Sequence, residues 1–162
     1  GYSLARKICF EAAGLTVDSP LPGTDRSVGE ALLEPHRSYA RVINVLMKII
    51  KIKGMAHITG GGITENLPRI LPEGLGARID LNAWDIPPLF TFLRNAGRVE
   101  DLEMLRTFNM GMGYLIVVSK ADQEQAMKAL EMTAEHPRVI GEVIQGENEV
   151  SYTGSLRYGP SN

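Results

Sequence analysis

The chain has 162 residues, of which 44% are apolar and 22% are charged, and its formal net charge at neutral pH is −2. This length fits one domain with its own hydrophobic core, and the charge predicts neither nucleic acid nor a membrane surface as a partner. The single cysteine, Cys9, excludes an internal disulfide, so we expect a reducing, cytoplasmic setting.

The first third of the chain predicts helices separated by turns. Apolar residues at helical spacing predict a helix over residues 3–13 and the strongest helix of the chain over residues 39–51. Ser27 and Glu30 have the spacing of a capping box, which predicts a short helix through residue 33. Because a helical pattern is already present at the first residues, we expect the chain to be part of a longer protein.

The middle of the chain alternates between strand and helix patterns. An apolar run over residues 55–58 predicts a buried strand that ends in three glycines, and a short helix containing Pro68 follows. Alternating apolar residues predict a half-buried strand over residues 77–81. Helices are then expected from the two prolines at 87–88 to Gly97, and over residues 100–106.

The last third predicts a second buried strand over residues 114–118 and a helix that Ser119 opens and that extends to about residue 134. Residues 138–144 and 150–153 have the pattern of a final hairpin. Strands and helices therefore interleave irregularly along the chain. This order predicts an α+β domain, a small mixed β-sheet covered by helices, rather than a doubly wound parallel sheet.

The glycine triplet Gly60, Gly61 and Gly62 lies between the predicted strand and the predicted short helix. Consecutive glycines suit either a tight turn without a ligand or a loop whose backbone N–H groups bind an anion. The loop is not a P-loop, because no Gly-Lys-Ser/Thr follows, and its spacing differs from that of the dinucleotide fingerprint. The flanking His57 and Asn66 favour a site.

Several side chains are candidates for that site. His57 could donate a hydrogen bond to an anion or act as a general acid or base. Thr59, Thr64 or Asn66 could add side-chain contacts, whereas Asn109, beside a second glycine turn, could face a ligand or cap a helix. Arg37 fits either a phosphate or a solvated helix entry. No histidine and carboxylate set has the ligand spacing of a transition-metal site.

Four blocks together resemble one known family. The block AHITGGGITENLPR at residues 56–69 is joined, in the family's order, by blocks at residues 1–7, 33–39 and 107–113. The chain resembles the C-terminal domain of phosphoribosylformylglycinamidine cyclo-ligase, also called aminoimidazole ribonucleotide synthetase. The resemblance covers residues 1–154, which we expect to form that domain, and residues 155–162 are expected to be a flexible tail.

The resemblance implies an activity that needs more than this chain. The full enzyme uses ATP and Mg²⁺ to close formylglycinamidine ribonucleotide to aminoimidazole ribonucleotide, and the full-length family is a homodimer. Its N-terminal ATP-binding domain is absent from this sequence, as is the histidine-containing stretch that normally precedes residue 1. The resemblance therefore implies that the isolated chain is inactive.

The resemblance also implies roles for particular residues. His57 matches the family's active-site histidine, as a hydrogen-bond donor or a general acid. The glycine loop, Gly60, Gly61 and Gly62, would hold a phosphate or another substrate group with Thr59, Asn66 and Asn109, and no metal ligand is expected in this chain.

Other functions remain open at this point. One is a non-catalytic phosphate-binding or assembly domain with the same fold. Another is a different ATP-dependent member of the superfamily, such as selenophosphate synthetase or thiamine-monophosphate kinase. The blocks at residues 56–69 and 107–113 favour the cyclo-ligase.

Overall fold

The computed structural model describes residues 1–159 and confirms the α+β class. The α-helices have these bounds: α1 Tyr2–Arg6, α2 Val28–Leu32, α3 Ala40–Leu46, α4 Gly62–Asn66, α5 Pro88–Gly97, α6 Asp101–Thr107 and α7 Gln123–Glu131. A π-helix, Lys7–Ala12, continues α1. The strands have these bounds: β1 Gly54–His57, β2 Leu75–Asp80, β3 Asp85–Ile86, β4 Tyr114–Val117, β5 Gly141–Gln145, β6 Val150–Thr153 and β7 Arg157–Tyr158. No helix within residues 1–159 has the length and apolar character needed to cross a membrane.

Within residues 1–159 the strands form three small sheets instead of the single sheet that the sequence predicts. In the largest sheet, β2 lies between β5, which is antiparallel to it, and β6, which is parallel to it. The expected hairpin of residues 138–144 and 150–153 is therefore wrong, because the two strands pair with β2 and not with each other. The buried Ala77 and Ile79 explain why β2 takes the centre of this sheet.

The second sheet consists of β1 and β4, which pair antiparallel from Gly54 opposite Val117 to His57 opposite Tyr114. The prediction of two strands here is confirmed, but β1 is not buried on both faces: Ala56 is buried while Met55 and His57 are exposed. This register brings the residues that follow β1 and those that precede β4 to the same end of the pair. An additional bond from the Ile58 N–H to the Gly113 carbonyl, 2.9 Å long, extends that end.

The helices agree with the sequence prediction where the signal comes from residues that are close together in the chain. The capping box at the start of α2 is confirmed: the Glu30 N–H donates to Ser27 Oγ at 3.2 Å, and the Ser27 N–H donates to Glu30 Oε2 at 2.7 Å. The helix predicted over residues 39–51 is shorter, because α3 ends at Leu46. Bonds with three-residue spacing then tighten the chain, which keeps Ile50 buried while Ile49 faces outward.

The segment expected to be a tail is attached to the domain through residue 158. Leu156 is buried, and β7 pairs in parallel with β3. The Tyr158 hydroxyl donates to Asp101 Oδ1 at 2.9 Å, and Arg94 Nε donates to the same oxygen at 3.0 Å. The Arg94 guanidinium also lies 4.9 Å from the centre of the Tyr158 ring. Residues 155–158 therefore differ from the predicted flexible tail, and residues 160–162 lie outside the described part of the chain.

Burial, followed by the hydrogen bond to the Asp101 carboxylate, raises the pKa of the Tyr158 hydroxyl. The hydroxyl therefore stays protonated as a donor throughout the neutral range. We expect Tyr158→Phe to lower the free energy of unfolding by about 1 kcal/mol, because it removes one hydrogen bond to a charged group. Urea unfolding followed by circular dichroism measures this loss. The exposed Tyr2 provides the matched control, since Tyr2→Phe should leave stability unchanged; equal stabilities of the two variants would contradict the assigned role.

Candidate functional site

The candidate site lies at the end of the β1–β4 pair, where the glycine loop leaves β1. His57 is exposed there, and its ring stacks against its strand partner Tyr114 with the ring centres 5.9 Å apart. Tyr39, from the entry to α3, meets the His57 ring edge-on at 6.2 Å and packs against Tyr114 at 5.0 Å. A second histidine, His36, completes the cluster at 4.6 Å from the His57 ring.

The sequence identified only some of the residues that surround His57. Nε2 of His36 and Nε2 of His57 are joined by a hydrogen bond, although the two residues are 21 positions apart. The block at residues 33–39 pointed to Arg37 as the polar candidate, and neither His36 nor Tyr39 was assigned to the site. Their presence in one short polar segment was the available signal, but only the folded chain shows that the segment lies against β1.

The three glycines have three different environments. A Cβ on Gly62, whose φ is +57°, would lie 1.9 Å from the Leu105 carbonyl oxygen, so the backbone of α4 packs directly on that of α6. A Cβ on Gly61, whose φ is +97°, would lie 2.7 Å from a carboxylate oxygen of Glu65. A Cβ on Gly60 would meet nothing within 4 Å. Gly62 is therefore a packing requirement, and the open face of the loop is at Gly60.

Asn66 is a brace within the loop. Its side chain is buried, and Nδ2 donates to the carbonyl oxygens of Thr59 at 3.3 Å, Gly60 at 3.1 Å and Gly62 at 2.8 Å. Its Oδ1 accepts from Arg69 Nη1 at 3.3 Å. Because an amide has only two N–H hydrogens and these already serve three carbonyls, the geometry does not support the predicted ligand contact from Asn66.

The side chains of the two threonines in this region, Thr59 and Thr64, have different surroundings. Thr59 is exposed, and its hydroxyl donates only a long bond, 3.5 Å, to Asn66 Oδ1, which a ligand could replace. Thr64 Oγ1 instead lies 2.7 Å from the Tyr152 hydroxyl and donates to the Leu105 carbonyl at 3.3 Å. Burial raises the pKa of the Tyr152 hydroxyl, and the bond to Thr64 lowers it by a smaller amount. Thr59 therefore remains available to a ligand, whereas Thr64 ties α4 to β6.

The second glycine turn reaches the same end of the β1–β4 pair. Asn109 Oδ1 accepts from the Gly111 N–H at 3.0 Å, so this side chain stabilises its own turn. The buried Trp84 indole donates to the Met110 carbonyl at 2.9 Å. Gly113 packs so closely on Tyr39 that a Cβ there would lie 2.1 Å from the tyrosine hydroxyl. The predicted ligand contact from Asn109 stays a prediction, and its observed role is structural.

Arg37 makes contacts within the chain. Its guanidinium lies 3.1 Å from a Glu135 carboxylate oxygen and donates to the Ala134 carbonyl at 3.3 Å. The pKa of the neighbouring Tyr39 hydroxyl is raised by burial and, to a smaller extent, by Glu135, whereas Arg37 lowers it. Of the two alternatives for Arg37, the geometry favours a helix-entry contact over a phosphate ligand.

The arrangement can bind an oxyanion through neutral donors. Within residues 1–159, the backbone N–H groups of Gly60 and Gly61 make no hydrogen bond, and exposed His57 and Thr59 flank them. Backbone N–H groups in such a turn suit a phosphate or carboxylate. The described residues contain no cluster of three or more histidine, cysteine, aspartate or glutamate side chains that could hold a metal ion.

Comparison with known proteins identifies similar sequences along most of the chain. Residues 1–153 match the family described as "AIR synthase related protein, C-terminal domain". Two similar curated proteins carry the name phosphoribosylformylglycinamidine cyclo-ligase. The protein from Trichlorobacter lovleyi is 50% identical over 88% of this chain, and that from Geobacillus kaustophilus is 46% identical over 97% of it.

The chain spans less than half the length of these relatives. The alignments cover 41% of the Trichlorobacter lovleyi protein and 45% of the Geobacillus kaustophilus protein. Among solved structures, E. coli HypE, a hydrogenase maturation protein, matches 72% of this chain and 35% of its own chain, with a TM-score of 0.54 and 23% sequence identity. This likeness concerns the fold alone.

The environments of the glycines predict effects of very different size for two alanine substitutions. We expect Gly62→Ala to lower the free energy of unfolding by about 3 kcal/mol, because the methyl group collides with the Leu105 carbonyl and the positive φ is strained. Gly60→Ala is the matched control and should change it by less than about 0.5 kcal/mol, because its methyl group enters open space. Thermal unfolding of both variants measures the difference. Similar losses in the two variants would show that Gly62 is not the packing position.

The brace role of Asn66 is testable through stability as well. Asn66→Ala leaves three carbonyls of the loop without their shared donor, so we expect a loss of about 2 kcal/mol in the free energy of unfolding. Asn44→Ala, at an exposed position of α3, is the control and should cost nothing measurable. Urea denaturation of the two variants compares them. If Asn66→Ala kept full stability and only weakened ligand binding, Asn66 would be a ligand group and not a brace.

Proposed function

The chain belongs to the family described as "AIR synthase related protein, C-terminal domain", and we propose that it acts as the C-terminal part of a phosphoribosylformylglycinamidine cyclo-ligase. The observation that supports this most strongly is the run of curated relatives with that name at 41–50% identity over most of the chain. The proposed reaction is ATP-dependent closure of formylglycinamidine ribonucleotide to aminoimidazole ribonucleotide. The proposed partners are that nucleotide, ATP and the remaining part of the enzyme.

The proposed substrates are polyanions, which suits the open face of the glycine loop. In this proposal the N–H groups of Gly60 and Gly61 donate hydrogen bonds to a phosphate or another oxyanion of the substrate, and Thr59 is a side-chain donor. His57 is proposed as a hydrogen-bond donor at the same oxyanion, where charge increases as phosphate leaves. A proton transfer by His57 to a leaving group is the alternative within this proposal.

The remaining machinery is proposed to lie in the part of the relatives that this chain does not span. ATP, when bound, supplies the activating phosphoryl group, and Mg²⁺ would need carboxylate ligands, of which residues 1–159 hold no suitable cluster. Binding of ATP and Mg²⁺, the homodimer and a cytoplasmic location belong to the proposal as well. The site of this chain would then form one wall of a cleft between two domains.

A chimaeric enzyme tests the proposal. This chain replaces the aligned region of the Trichlorobacter lovleyi cyclo-ligase, and ATP-dependent ring closure is followed by phosphate release and product formation. We expect turnover from the chimaera and none from the isolated chain. His57→Ala in the chimaera should lower kcat by about 100-fold, because it removes a donor to developing charge.

The exposed His136 supplies the control, since His136→Ala removes a histidine outside the cluster and should leave kcat unchanged. A folded chimaera that binds ATP but never closes the ring would contradict the proposed activity. If the His57→Ala chimaera turned over at the rate of the parent, the proposed role of His57 would be wrong even though the activity stood.

A further inference from the structure

We propose that His36 is a positioning residue that sets the tautomer of His57, so that Nδ1 of His57 carries the hydrogen offered to an oxyanion. The first part of this proposal, the tautomer of His57, concerns the two imidazoles alone. The second part, the oxyanion, rests on the proposed function. The hydrogen bond between Nε2 of His36 and Nε2 of His57 supports the assignment.

The two rings are held in place by their neighbours. The backbone of His57, at the end of β1, is paired with Tyr114 of β4, and the His57 ring stacks on the ring of that tyrosine. Tyr39 contacts both imidazoles edge-on, at 6.1 Å from His36 and 6.2 Å from His57. Tyr39 is itself packed closely, because its hydroxyl lies only 2.1 Å from where a Cβ on Gly113 would be. The cluster therefore orients the two Nε2 atoms toward each other.

The hydrogen bond restricts where the protons can be. A neutral imidazole has one N–H and one bare nitrogen, whereas an imidazolium has two N–H groups. A bond between two Nε2 atoms therefore needs one hydrogen between them, with one atom as donor and the other as acceptor. If His36 is the donor, neutral His57 must carry its own hydrogen on Nδ1.

No other group in the described part of the chain competes for this role. Within residues 1–159, neither imidazole forms an ion pair with a carboxylate, and the one hydrogen bond of the His57 ring goes to His36. Four charged groups near the cluster and the glycine loop form two pairs. Arg37 pairs with Glu135 behind Tyr39, and at the glycine loop Glu65 lies 3.6 Å from the Arg106 guanidinium.

The direction of the bond follows from what an oxyanion needs. Because Nε2 of His57 is engaged by His36, only Nδ1 can reach a ligand. An oxyanion accepts hydrogen bonds and repels a bare ring nitrogen, so Nδ1 must be protonated for His57 to contribute. His36 as donor gives that state without requiring His57 to be charged.

Nitrogen-15 NMR of the imidazoles tests the assignment directly. The chain has three histidines, so spectra of single substitutions at His36, His57 and His136 assign every ring. At a pH of about 9, where ordinary imidazoles are neutral, the chemical shift separates a protonated ring nitrogen from a bare one. We expect protonated Nδ1 and bare Nε2 in His57. A bare Nδ1 in His57 would overturn the proposal.

Two substitutions at His36 separate a positioning role from simple packing. His36→Phe keeps the ring and removes the donor, so the protonated Nδ1 signal of His57 should be replaced by that of a tautomer mixture. His36→Gln restores an N–H donor near the position of Nε2 and should restore that signal. His136→Ala is the control and should leave His57 unchanged. A His57 spectrum that is the same in the parent and in His36→Phe would contradict the assigned role of His36.

Titration with inorganic phosphate separates this proposal from the proposed function. A shift of the His57 Nδ1 signal on phosphate addition, reduced in His36→Phe, would support the oxyanion part. A fixed Nδ1–H tautomer with no response to phosphate would overturn the oxyanion part of this inference. Because the tautomer is read without substrate, a negative result from the chimaeric enzyme would leave the assignment of the pair in force.

Discussion

The approach of the Gly62 backbone to the Leu105 carbonyl is the constraint on which the glycine loop depends. With no side chain at Gly62, α4 packs on α6 at backbone distance, and Thr64 adds a hydrogen bond to the same carbonyl. The loop is thereby held from the core side, and Asn66 holds it from within. Only the outer face at Gly60 remains open. One glycine of the triplet serves packing, and another leaves the backbone of the loop open on its outer face.

Features with local causes could be predicted from the sequence. The α2 capping box, the helix from Pro88 to Gly97 and the strand before the glycine loop each depend on residues a few positions apart. The α+β class follows from the irregular order of these elements. The location of a candidate site beside the triplet could likewise be predicted, because His57 and Gly60 are neighbours in the chain.

Features that depend on distant pairing could not be predicted. The strands β5 and β6 look like a hairpin because only four residues separate them in the sequence, yet β2 lies between them in the sheet. No sequence pattern near residue 145 indicates that β2 can pair with a strand on each of its two edges. The same limit applies to His36, whose contact with His57 depends on where the entry to α3 packs. For Asn66 the residue type was informative, but its burial, which only the fold shows, favours a brace over a ligand group.

The balance of charge around the site has a consequence for the proposed function. Three arginines near the loop are already engaged: Arg37 pairs with Glu135, Arg106 lies 3.6 Å from Glu65, and Arg69 donates to the neutral amide of Asn66, which does not balance its charge. Among residues 1–159, the donors at the open face of the loop are neutral, namely backbone N–H groups, a threonine hydroxyl and an imidazole. Neutral donors fix the position of an oxyanion but balance little of the charge of a nucleotide polyphosphate. Under the proposed function, this wall of the cleft orients the substrate, and cations bound by the other domain must balance its charge.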